Sequence, residues 1–142
     1  MSGAADLPRV FHGHPGVGDP VEGEALVSRH GFSARYDLDR RTGIFSREAH
    51  DLFGRSAVGK ILLFPTAKGG VATAWALLDL RARGLSPAGL VFGEANPIMV
   101  QGAVLADLPL LDRLSPDPWE GVRSGDWLRL VPAEGLLEVL RR

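Results

Sequence analysis

The residues best suited to chemistry lie together in Pro65-Thr66-Ala67-Lys68-Gly69-Gly70. An apolar run precedes this segment and a helix-like pattern follows it, so it reads as a strand-to-helix loop. Glycines let backbone amides approach a ligand, and the start of a helix favours an anion. Lys68 adds a point charge and Thr66 or Thr73 a hydroxyl, so Thr66, Ala67, Lys68, Gly69 and Gly70 together supply what recognition of a carboxylate or phosphate needs. The spacing of a phosphate loop is absent, because no Gly-Lys-Ser/Thr follows. A purely structural reading stands beside this one: Gly69-Gly70 permits a sharp turn and close packing. His12, His14, His30 and His50 include one close pair but no third ligand at a metal-like interval, so no metal site is expected. No Ser-His-Asp trio can be assigned from one sequence without geometry.

Several elements must hold this loop in place. Lys60 to Phe64 is an unbroken apolar run stopped by Pro65, the pattern of a central strand covered on both faces. After the loop, Val71, Ala74, Trp75, Leu78 and Ala82 fall at helical spacing, which predicts a helix ending at Gly84 with Trp75 packed in the core. Leu90-Val91-Phe92 is a second buried strand, so the unit reads as βαβ with a right-handed crossover. Val21 to Ser28 suits another strand, and Asn96-Pro97 can cap a helix over Ile98 to Ala106. Leu108 to Leu111 suggests a strand edge. Apolar and polar residues alternate on both sides of Pro132 to Gly135, which predicts a terminal β-hairpin. Residues 1–20 read as an irregular arm, and Ala34 to Gly54 as a polar connection crossing the surface.

Whole-chain numbers narrow the function classes. The 142 residues fit one domain, and Lys+Arg 16 against Asp+Glu 17 give a net charge of −1, with no positive field to hold nucleic acid. Cysteine is absent, so the chain has no disulfide, no thiolate nucleophile and no thiolate-bound iron–sulfur cluster of its own. No apolar run reaches membrane-spanning length and the first residues show no signal-peptide pattern, so the expectation is a cytoplasmic protein.

The order of these motifs resembles the small subunit, or fused swivel domain, of aconitase X-type dehydratases, a family that includes phosphomevalonate and cis-3-hydroxyproline dehydratases. The likeness runs from Val21 to the C-terminus. Its carriers are Glu22-Gly23-Glu24-Ala25-Leu26-Val27, Asp39 with Thr42-Gly43, Gly54 to Lys60, the Pro65 to Gly70 loop, and Ser124-Gly125-Asp126-Trp127. The resemblance implies a swivelling β/β/α domain over residues 21–142, closing over a large subunit whose cysteines hold an iron–sulfur cluster. That cluster would act as a Lewis acid on the leaving hydroxyl, while a swivel-domain serine at the helix start removes the carbon-bound proton. Here the serine position is occupied by Gly70, and Thr66 or Thr73 are the nearest hydroxyls.

The expected activity is therefore dehydration of a small hydroxy acid together with that large subunit. The alternative is a stand-alone module for anions or metabolites that has lost the catalytic serine. A hydroxyproline-like acid is favoured over phosphomevalonate, because Gly70 departs from the phosphomevalonate pattern and no second basic residue lies between Pro65 and Trp75. If the loop binds an anion, Lys68→Ala weakens binding by about 1.5–3 kcal/mol while the fold survives. Melting temperature and ligand affinity measured on one variant check this; unchanged affinity removes Lys68 from the site.

Overall fold

The computed structural model describes residues 7–142. Its framework is a seven-stranded sheet whose strands, in order across it, are β1 (Val10–His12), β9 (Leu136–Arg141), β8 (Trp127–Val131), β2 (Val21–Val27), β5 (Ile61–Thr66), β6 (Gly89–Glu94) and β7 (Leu110–Asp112). Strands β2, β5, β6 and β7 run parallel. On the other side of β2, strands β8, β9 and β1 pair antiparallel. Two helices, α2 (Val71–Ala82) and α3 (Pro97–Leu105), cover one face of the parallel half. Between β2 and β5 the chain forms the short α1 (Ala34–Asp37), β3 (Leu38–Asp39) and β4 (Ile44–Phe45). Among the described residues no helix is long and apolar enough to cross a membrane.

Period-two burial explains the unbroken apolar run of β5. Leu62 and Phe64 enter the core beneath the helices, whereas Ile61 and Leu63 enter a second core closed by Leu128, Leu130, Leu137 and Val139 of the terminal hairpin. Because both faces are covered, a polar side chain at any position from Ile61 to Phe64 would be buried away from water. The predicted βαβ unit is β5-α2-β6, and the predicted hairpin is β8-β9, turned by a short 3-10 helix and the left-handed Gly135. Asn96 caps α3 as expected, its side chain accepting from Met99 N at 2.7 Å. Ser124-Gly125-Asp126 closes the joint between the two halves: Ala25 N donates to Asp126 O at 2.8 Å and Val27 N to Ser124 Oγ at 2.8 Å.

Three expectations need correction. The buried stripe of α2 is Thr73, Ala76, Leu77 and Leu80, and Trp75 is 62% exposed. The helix carries two apolar stripes, and the sheet takes the one with the compact side chains. The other stripe meets α3 through Ala74 and Gly102, too close for an indole. The supposed arm supplies edge strand β1, with Phe11 fully buried, although residues 1–6 lie outside the described part. The connection from Ala34 to Gly54 does more than cross the surface, since Leu38, Phe45, His50 and Leu52 are all buried.

Phe64 stacks on Phe32 with ring centroids 4.3 Å apart and touches Phe45, His50 and Phe92. Phe64→Ala is expected to cost about 3–5 kcal/mol, read from urea unfolding; a loss below 1 kcal/mol by that measurement would mean that the aromatic cluster does not anchor the fold.

Candidate functional site

The parallel strands β2 and β5 end side by side, and a cleft of about 350 Å³ opens beyond their carboxyl ends, where open α/β sheets commonly place ligands. Its wall is cationic. Arg29, His30 and Gly31 come from the end of β2, Arg47 and His50 from the segment after β4, and Pro65, Thr66 and Lys68 from the predicted loop. Neither Arg29 nor Lys68 belongs to an ion pair among the described residues. Arg47 is partly neutralised, its guanidinium lying 3.4 Å from the buried Asp37 carboxylate.

A parallel bridge holds the two edges of the cleft together. Phe32 N donates to Thr66 O at 3.1 Å and Lys68 N to Phe32 O at 2.8 Å, so residues 31–33 run beside residues 66–68. The Lys68 stem then lies across Gly31, where a Cβ would come within 2.6 Å of Cε. Gly69 has φ +92, and a Cβ there would collide with Thr73 Oγ1, so this glycine is required by the turn. Gly70 is different, since a Cβ at that position meets nothing within 4 Å.

The predicted residues divide accordingly. Thr66 and Lys68 are exposed and line the cleft. Ala67 is half-buried in its pairing with Phe32, and Gly69 and Gly70 are exposed but stand outside the lining. Thr73 is only 2% exposed, and its hydroxyl shares a hydrogen bond of 3.1 Å with Ser33 beneath the loop. That position makes it a support for the turn and takes it away from the cleft.

Sequence reasoning missed Arg29, Arg47 and Asp51, and among the histidines it found one close pair with no third ligand at a metal-like interval. Asp51 accepts from Ser28 Oγ at 2.6 Å and from Arg29 N at 2.8 Å. Its own N–H donates to His30 Nδ1 at 3.1 Å. Because an amide N–H can only donate, His30 Nδ1 must be the acceptor and the neutral ring carries its proton on Nε2. His30 therefore offers the cleft a hydrogen-bond donor and is not set up to act as a base. In the same way His50 Nδ1 accepts from Leu52 N at 3.1 Å, which leaves Nε2–H to donate to Gly31 O at 3.0 Å. His30, His50 and Asp51 bring possible ligand atoms within 4.8 Å of one another, a third metal-type group that spacing did not reveal. Both Nδ1 lone pairs are, however, already held by backbone amides.

What the fold and site define is a small mixed α/β domain with a cationic cleft at the end of its central parallel strands. The family model for the aconitase X swivel domain matches residues 10–139, and the chain belongs to that family. It is 35% identical over 136 residues to a phosphomevalonate dehydratase small subunit of Methanosarcina mazei, covering 96% of this chain and 94% of the relative. A relative of the same name from Methanopyrus kandleri is 38% identical over 123 residues, covering 87% of this chain and 90% of the relative. The crystal structure of Thermococcus kodakaraensis aconitase X in its holo-form superimposes with a TM-score of 0.88 at 31% identity, covering 94% of this chain and 100% of that chain. The resemblance read from the motifs, and the fold it implied, are thereby confirmed.

Burial alone would raise the Asp51 carboxyl, but the Ser28 hydroxyl, the Arg29 amide and the two imidazoles outweigh it and hold it below its ordinary value of 3.8. A lowered folded-state value means that its stabilisation is complete above the ordinary value and is lost as pH falls through the folded one. Asp51→Asn should thus lower the melting temperature at neutral pH yet flatten the decline below about pH 4. Melting curves across that range check this, and identical acid limbs would show that Asp51 contributes nothing there.

Proposed function

We propose that this chain is the small subunit of an aconitase X-type hydro-lyase that removes water from a phosphorylated hydroxy acid. The observation that carries the reading is the convergence of Arg29, Arg47 and Lys68 with the His30 donor in one cleft. A dianionic phosphate exploits several cations and neutral donors at once, and charge-assisted hydrogen bonds are the strong ones. The lean towards a hydroxyproline-like acid rested on Gly70 and on the absence of a second basic residue between Pro65 and Trp75. The fold adds two arginines from elsewhere, and the relatives carry the phosphomevalonate name, so the phosphorylated class is the better reading.

This chain's own share is binding and orientation. Lys68 and Arg29 hold the anion, His30 Nε2–H and the Thr66 hydroxyl donate to it, and Gly70 contributes no side chain to proton transfer. With no cysteine to ligate it, an iron–sulfur cluster would sit on the large subunit, where it supplies Lewis acidity for departure of the hydroxyl. The proton acceptor would be contributed by that subunit as well.

An exposed apolar face supports such a partner. Val71, Trp75, Val104 and Leu105 are all more than half exposed on α2 and α3, and Val71 directly follows Gly70 at the site loop. Clustered apolar groups of this kind mark protein–protein contacts, and tryptophan is the residue most enriched at their energetic centres. A second reading, the stand-alone anion module, draws on Gly70, where a serine would fit and none is present.

Co-expression with an aconitase X-type large subunit, followed by anaerobic purification and assay on phosphomevalonate and on cis-3-hydroxyproline, separates these readings. A stable complex active on the phosphorylated acid is expected; turnover of the amino acid alone would restore the earlier lean, and chains that never co-purify would leave the module. Trp75→Glu is expected to change the stability of the isolated chain by no more than about 0.5 kcal/mol while abolishing co-purification.

A further inference from the structure

Lys60 and Lys68 are the only lysines of the sequence. Lys60 is half-buried and precedes the opposite end of β5, whereas Lys68 is exposed in the cleft. Backbone pairing fixes the direction of Lys68: its N–H donates to Phe32 O, which lays the stem along Gly31. A Cβ on Gly31 would come within 2.6 Å of Lys68 Cε and within 2.8 Å of Thr66 Oγ1. The amine end and this hydroxyl therefore stand side by side over the segment that carries Arg29 and His30. No carboxylate lines the cleft, and Lys68 belongs to no ion pair among the described residues. An accessible amine thus lies beside the cation and the neutral donor that suit a phosphoryl group.

We infer that Lys68 is an acylation site for acyl phosphates, the cleft binding the phosphoryl group and presenting the acyl carbon to Nζ. The inference rests on the reading of the cleft as an anion site and adds its regulation. Arg29 and His30 Nε2–H hold the phosphoryl oxygens, and the Thr66 hydroxyl donates to the acyl carbonyl oxygen. The neutral amine of Lys68 attacks the acyl carbon, and the bond from that carbon to the phosphate oxygen breaks. One amine proton leaves with the phosphate as hydrogen phosphate, and an amide remains on Nζ. Arg29 and Arg47 are spared, because a guanidinium stays protonated. The product carries no charge, so the reaction removes a charge-assisted donor and weakens the hold of the cleft on any anion.

The test treats the full chain with acetyl phosphate and, in parallel, with N-hydroxysuccinimidyl acetate, which carries no phosphate and reports exposure alone. Acetylation at Lys68 and Lys60 is read by peptide mass spectrometry. The Lys68-to-Lys60 ratio should be at least about tenfold higher with acetyl phosphate, the worth of one charge-assisted hydrogen bond. Inorganic phosphate should suppress the reaction of acetyl phosphate at Lys68 and spare Lys60. The Arg29 side chain is exposed, so Arg29→Ala should leave the melting temperature unchanged while bringing the ratio down to that of the succinimidyl ester. Calorimetric titration with inorganic phosphate separates the two levels of failure. Phosphate binding with equal ratios for the two reagents, or a raised ratio that survives both phosphate and Arg29→Ala, would overturn the acylation site and leave the anion cleft standing. Equal ratios without any phosphate binding would overturn both.

Discussion

Burial of β5 on both of its faces is the constraint from which the rest of the molecule follows. Ile61 and Leu63 point into one core and Leu62 and Phe64 into the other, so neither layer can form without this strand. A strand buried on both sides has only one place to present polar groups, which is its end. At that end Pro65 and Thr66 leave the apolar interior, and the chain turns through Lys68 and Gly69 into α2. The location of the cleft is therefore a consequence of packing as much as of chemistry.

Aromatic stacking carries that constraint from the core to the ligand side. Phe64 holds Phe32, and the backbone of Phe32 pairs with Thr66 and Lys68. Phe45 supports the His50 ring at 5.1 Å, and His50 in turn donates to Gly31 O. The backbones of Thr66 and Lys68 and the ring of His30 are thus one or two contacts away from a fully buried ring. Such second-layer support is what holds a binding geometry to within fractions of an ångström.

The buried polar groups follow the same economy. Among the described residues, no buried side-chain nitrogen or oxygen lacks a hydrogen-bond partner. Ser28, Ser33, Asp37, His50 and Thr73 are buried around the site, and their bonds run to one another, to backbone groups, to Asp51 and to Arg47. Their bonds fix the segments whose other atoms line the cleft. The hydroxyl of Thr73 illustrates the distinction: near the loop in sequence, it is committed to Ser33 and to the turn at Gly69.

By itself the sequence determined whatever local patterning controls. The apolar run stopped by Pro65 placed the central strand, Asn96-Pro97 placed a capped helix, the alternation around Pro132 to Gly135 placed the terminal hairpin, and the motif order placed the family. Thr66, the last residue of β5, and Lys68 were legible as cleft residues because they sit where the βαβ unit passes from strand to helix. Tertiary structure alone decided which other groups join them. Arg29 and His30 end a different strand, and Arg47, His50 and Asp51 come from a connection that looked like polar surface. They meet through pairing across the sheet and through Ser28, and no spacing along the chain encodes such closures. It also decided which stripe of α2 faces inward. Periodicity identifies an apolar face but does not choose between two of them, and that choice fell to the fit of Ala76, Leu77 and Leu80 against the sheet, leaving Trp75 outside.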